Sequence, residues 1–101
     1  EVVENAPEFP GGMPACLQFL YKNIKYPPIA QENGTPGQVV LQFVVERDGS
    51  IGDIKVVKSV DPYLDKEALR VVKTMPKWKP GMQRGKPVRC RFTLPVRFRL
   101  Q

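Results

Sequence analysis

The sequence predicts an α+β two-layer sandwich in which two helices pack on a three-stranded antiparallel sheet. Three observations lead there. Two stretches repeat apolar residues at helical spacing, three stretches alternate apolar and polar residues as half-buried strands do, and Asp48-Gly49 joins the first two of those as a hairpin. The order along the chain is helix, hairpin, helix, strand, which suits one sheet covered on one face by helices. With 101 residues, 42% of them hydrophobic, the chain has enough apolar surface for one domain with a modest core.

Residues 1–13 read as the end of a linker, leading through Phe9-Pro10-Gly11-Gly12 into a domain spanning 14–101. Pro14 suits a first helical position, where its missing N–H is no loss. Leu17, Leu20, Tyr21 and Ile24 follow the spacing of one helical face and are the expected buried stripe. Tyr26-Pro27-Pro28 stops this helix, because the proline rings remove donors and push the preceding residue out of the α region. Residues 29–32 suit one further turn, closed by Asn33-Gly34.

Over residues 38–46, Val39, Leu41, Phe43 and Val45 point one way, and Gln38, Val40, Gln42, Val44 and Glu46 the other. The return strand covers residues 51–59, with Ile54 and Val56 on the apolar face; Val40, Val44 and Val57 leave apolar surface on the opposite one. Asp61-Pro62 then starts a helix, the aspartate capping free amides and the proline taking the first position. Asp65 and Glu67 lie early in it and Arg70 and Lys73 late, as the helix dipole favours. Leu64, Ala68, Val71, Val72 and Met75 form its buried stripe, and Pro76 ends it. Residues 77–87 form a basic loop around Trp78, which is expected as a hydrophobic plug seating the loop on the core, in preference to a binding platform.

The last strand is the most regular feature. Val88, Cys90, Phe92, Leu94, Val96, Phe98 and Leu100 alternate with Arg89, Arg91, Thr93, Pro95, Arg97, Arg99 and Gln101. The first set must sit on the helices, and the arginine row must face water or a ligand. A proline inside a strand is tolerated where its missing N–H points away from a neighbour. Pro95 therefore predicts that Arg91, Thr93 and Arg97 aim their backbone groups at an open sheet edge. Such an edge is either blunted by its charges and proline or used to accept an extended peptide as an added strand, and the pattern does not choose between these.

Several functions are excluded or disfavoured. The chain has no histidine, which removes the commonest general base and the commonest metal ligand. Cys16 and Cys90 are too few and too far apart for a zinc site or a CxxC redox pair. Two separate buried thiols are expected there in preference to a disulfide. Asp48, Asp53, Asp61 and Asp65 sit at turns and caps that each have a structural use, and no nucleophile has an identifiable base; no catalytic residue, metal or cofactor is expected. Net charge is +6, split between residues 1–53, with seven acidic and three basic side chains, and residues 54–101, with three acidic and thirteen basic ones. That asymmetry suggests an anionic partner for the second half, with a plain basic surface as the simpler reading. Nucleic acid is disfavoured because Phe92 and Phe98 point inward, leaving no stacking platform.

The ordered strings Phe9-Pro10-Gly11-Gly12, Asn23-Ile24-Lys25-Tyr26-Pro27, Gly37-Gln38-Val39, Asp48-Gly49-Ser50-Ile51, Asp65-Lys66-Glu67-Ala68-Leu69, Trp78-Lys79-Pro80-Gly81, Gly85-Lys86-Pro87-Val88 and Leu94-Pro95-Val96 resemble the TonB C-terminal domain, in the form found in Bacteroidetes. The resemblance covers about residues 8–100. It implies the same two-helix, three-strand fold and a non-enzymatic, energy-transducing role in the periplasm. It also implies an inner-membrane anchor and Pro-rich linker upstream, coupling to the proton gradient through an ExbB–ExbD complex, and outer-membrane TonB-dependent receptors as partners, importing siderophores and other nutrients. The receptor's TonB box would add as a strand along residues 91–99, with residues 23–26 lying alongside. The peptide-binding residues implied are Asn23, Lys25, Tyr26, Arg91, Thr93, Arg97 and Arg99. Pro95 departs from many relatives and interrupts that ladder, which implies a shorter or shifted bound segment. The alternative keeps the fold and places it at the end of a membrane sensor or peptidase-like protein that binds peptidoglycan or another envelope protein. A strand-swapped homodimer is also open to a fold with a bare edge.

Overall fold

A computed structural model of the chain describes residues 3–34 and 36–99. Its elements are α1 (Gly12–Asn23), α2 (Pro28–Glu32), β1 (Gly37–Val45), β2 (Ile51–Lys58), α3 (Pro62–Lys73), β3 (Gly81–Gln83), β4 (Lys86–Val88) and β5 (Cys90–Phe98). The expected α+β sandwich is present: β2, β1 and β5 form one antiparallel sheet in that order, with β1 in the middle. Leu100 and Gln101, the expected end of the last strand, lie outside the described residues.

The middle strand explains why the sheet has one buried face. Val39, Leu41, Phe43 and Val45 are fully buried. They meet Leu94, Val96 and Phe98 of β5, and Leu64, Ala68, Val71 and Val72 of α3, in one core. Burial of each large side chain here contributes on the order of 2 kcal/mol. The β1–β5 register runs unbroken from Gly37 opposite Phe98 to Val45 opposite Cys90. The β1–β2 register slips twice, and the extra residue lies on β2 each time. One slip adjoins Asp53, whose φ of 50° marks the bulge.

The helix α3 starts as expected. Asp61 accepts from the Leu64 amide at 2.8 Å and Pro62 takes the first turn. The sequence placed the buried face of α1 incorrectly. Leu20 is buried and Ile24 half-buried, but Leu17 and Tyr21 are 54% and 81% exposed, while Cys16 is fully buried. The reason is an aromatic anchor that helical spacing does not register. Phe9, buried ahead of the helix, packs on Phe19 at 5.6 Å between ring centroids, and this turns the Cys16–Phe19–Leu20 side inward.

Trp78 is the expected plug. It is 3% exposed and meets Phe43, Phe92 and Phe9 edge-on at 5.3, 4.9 and 5.7 Å. The loop around it holds structure that periodicity did not predict. β3 and β4 form a two-stranded hairpin turning through Arg84 and Gly85, both at positive φ. Residues 4–9, read from the sequence as linker, lie along this hairpin; Asn5 bridges to Met82 and Glu8 to Lys79. Cys16 and Cys90 are free thiols, and burial raises that of Cys16 to about 11.

Candidate functional site: the outer edge of the last strand

One hydrogen bond at the far end of the hairpin decides which flank of β5 is bare. The Glu46 amide donates to the Ser50 carbonyl at 2.8 Å, so the Glu46 backbone faces β2. Backbone groups two residues apart point to the same side of a strand. Val40, Gln42 and Val44 therefore also face β2, while Gly37, Val39, Leu41, Phe43 and Val45 face β5. Their register partners Phe98, Val96, Leu94, Phe92 and Cys90 carry the ladder. Arg91, Thr93, Pro95 and Arg97 direct their backbone groups outward, where no strand of the described residues follows. Pro95, opposite Val40, removes no bond from the sheet.

Side chains on this strand alternate across the sheet, so the same residues place theirs on the face away from the helices. Arg91, Thr93 and Arg97 are exposed, as is Arg99 just beyond the strand. Among the described residues, Arg91, Arg97 and Arg99 have no carboxylate partner, whereas Arg89 is held by Glu46 at 2.7 Å and by Asp53 at 3.6 Å. The edge thus presents backbone donors and acceptors flanked by uncommitted cations. At its C-terminal end an open groove of about 620 Å³ is lined by Pro36, Gly37, Gln38, Arg97, Phe98 and Arg99.

The structure brings only part of residues 23–26 to this strand. Tyr26 packs edge-on against Phe98 at 5.8 Å, on the core face of β5. Desolvation, and secondly the charge of Asp61, hold the Tyr26 hydroxyl above its ordinary pKa. The backbones of Asn23 and Lys25 are bonded to α3. The Lys25 amide donates to Glu67 Oε2 at 2.7 Å, and Arg70 Nη2 donates to the Asn23 carbonyl at 3.0 Å. Asn23 Nδ2 closes its own helix on the Phe19 carbonyl at 2.8 Å. Sequence reasoning missed the groove wall at Pro36–Gln38. Gly37 itself is kept small by Val60, which an added Cβ would approach to 2.7 Å.

The chain is a small α+β sandwich with a strand edge flanked by cations, and among the described residues no group of His, Cys, Asp or Glu is arranged to hold a metal. The family described as Gram-negative bacterial TonB protein C-terminal matches residues 22–100, and the chain belongs to that family, whose members are transducers and not enzymes. It is 43% identical over 51 residues to Protein TonB of two strains of Helicobacter pylori, a match covering 50% of this chain and 18% of those proteins. The chain therefore matches less than a fifth of the length of these curated relatives. The solution structure of the Helicobacter pylori TonB C-terminal domain (residues 194–285) superposes with a TM-score of 0.66 at 27% identity, covering 86% of this chain and 91% of that one. That of the Pseudomonas aeruginosa TonB C-terminal domain gives 0.62 at 31% identity, covering 76% and 78%.

Proposed function

We propose that this domain is the partner-gripping end of a TonB-type energy transducer: it takes the TonB-box segment of an outer-membrane receptor onto the free edge of β5 and passes load to it. The observation that carries this reading is the outward direction of the Arg91, Thr93 and Arg97 backbone groups beside guanidinium groups that have no carboxylate partner among the described residues. An extended segment completes such an edge through main-chain bonds, and acidic residues near it are attracted by the arginines. Because Pro95 offers no donor, the added strand pairs on either side of it and not evenly along residues 91–99.

In this reading the domain works in the periplasm, with a membrane anchor upstream and an ExbB–ExbD complex as the source of load. An interface of one short strand is small, so an isolated receptor peptide binds at about micromolar strength or weaker. Weak binding suits a coupling that must let go after each transport event.

Thr93→Pro tests the site, because it removes an outward donor while leaving the arginines and the β1 ladder in place. Fluorescence anisotropy with a labelled receptor peptide should show affinity reduced by about tenfold or more, equivalent to about 1.4 kcal/mol. Unchanged affinity in a protein whose circular dichroism and melting show an intact fold overturns strand addition at β5.

A further inference from the structure

We propose that residues 4–9 form a load-bearing clasp, which carries tension from the upstream chain into β5 through the β3–β4 hairpin and bypasses α1. The proposal rests on the force-transmitting reading above and assigns the path that the force takes.

The clasp is built from backbone. The Asn5 amide donates to the Met82 carbonyl at 3.1 Å and the Met82 amide to the Asn5 carbonyl at 2.9 Å; the Glu8 amide donates to the Lys79 carbonyl at 2.9 Å and the Lys79 amide to the Glu8 carbonyl at 2.7 Å. The Arg84 amide, at the hairpin turn, donates to Glu4 Oε1. Both backbone groups of Met82 are committed to Asn5, and opposite Met82 on β4 stands Pro87, which has no N–H to offer. The hairpin is thus arranged to receive the segment on that flank at no loss to its own ladder. Gly81 lets the chains close up, since a Cβ there would meet the Asn5 carbonyl at 3.3 Å and Pro7 Cδ at 3.5 Å. Phe9, buried against Phe19 and Trp78, pins the downstream end.

Direction turns this contact into a mechanical joint. Residues 4–9 run antiparallel to β3, and β3 runs antiparallel to β4, so the segment points the same way as β4. Only Arg89 separates β4 from β5. The segment begins at the hairpin tip, where the Arg84 amide meets Glu4. Tension on it pulls residues 4–9 along their own axis and loads the four backbone bonds together in shear. From β3 onward the path to the receptor-gripping strand is covalent. Without the clasp, the same tension first straightens Gly11 and Gly12, both at positive φ, and then peels α1 from the core.

The test is single-molecule pulling between enzymatically attached handles at the two chain ends, comparing the natural sequence with an Asn5→Pro/Glu8→Pro variant. The variant removes the two bonds that the segment donates and alters no residue of the sheet, α3 or the hairpin. The natural chain should show an early rupture that releases residues 4–11, about 2–3 nm of chain, before the body unfolds. In the variant that rupture force should fall by roughly half, in line with the bonds removed. An equal rupture force in both proteins, or no early event in the natural chain, overturns the clasp. Receptor-peptide affinity, measured alongside, should be the same in both. Its absence in the natural chain counts against strand addition at β5 and leaves the pulling result to be judged on its own.

Discussion

At Gly49 a single residue fixes the hairpin and the aromatic core together. Its φ is 88°, and a Cβ there would stand 2.1 Å from the Trp78 carbonyl oxygen. The Trp78 amide donates to the Gly49 carbonyl at 2.8 Å, so the turn and the plug are one unit. Gly49→Ala therefore meets both a backbone that L residues rarely adopt and a carbonyl that cannot move without unseating Trp78. It should destabilise the domain by about 3 kcal/mol in denaturant unfolding, the large effect expected of backbone strain combined with core disruption. Gly85, at φ 73° with open space around it, is the control: Gly85→Ala should show the conformational penalty alone. The Asp-Gly pair was legible in the sequence as a turn. That its carbonyl serves Trp78, twenty-nine residues on, was not, because no local pattern encodes a contact across the fold.

Among the elements, the connection between α1 and α3 rests on Glu67. It accepts from the Lys25 amide and from Arg70 at 2.8 Å, and Arg70 also holds the Asn23 carbonyl. Partial burial raises the pKa of Glu67, but the hydrogen bonds from Arg70 and Lys25 and their positive charge outweigh it, leaving the carboxyl below its ordinary 4.5. A carboxyl depressed in the folded state stabilises above its unfolded pKa and loses that contribution as pH falls through the folded value. Melting temperature should therefore drop as pH is lowered below 4.5. Glu67→Gln should flatten part of that slope, with the remainder belonging to Glu46 and Asp48, whose carboxyls are lowered by hydrogen bonds from Arg89 and Ser50 respectively. A slope unchanged in the variant would show that Glu67 does not link the two helices. The sequence placed Glu67 early in a helix for its dipole; its reach to Lys25 needed the packing of α3 on the rest of the chain.

For the whole molecule, charge is sorted by position and not only by number. Arg91, Arg97 and Arg99 lie along one free edge, while Arg70, Lys77 and Arg89 are engaged with Glu67, Asp48 and Glu46. Exposed, unpaired cations act over a Debye length of about 10 Å at 0.1 M salt. Encounter with an acidic receptor segment should then slow as salt rises, and Arg91→Gln/Arg97→Gln should lower the association rate severalfold while changing dissociation little. Stopped-flow kinetics separates the two, and equal association rates would remove the arginines from any steering role.

The sequence by itself determined the helices and the three main strands, the buried face of α3 and of those strands, and the position of β5 at a sheet edge. Each of these follows from local rules: periodicity, a capping aspartate, and a proline that forbids an inward donor at Pro95. Tertiary structure alone decided the rest. The packing of Phe9 on Phe19 turned α1, the Arg84-Gly85 hairpin was bridged by Asn5 and Glu8, and the backbones of Asn23 and Lys25 were bonded to α3. These depend on which distant groups come within bonding distance, and chain-local spacing carries no record of that until the core has closed.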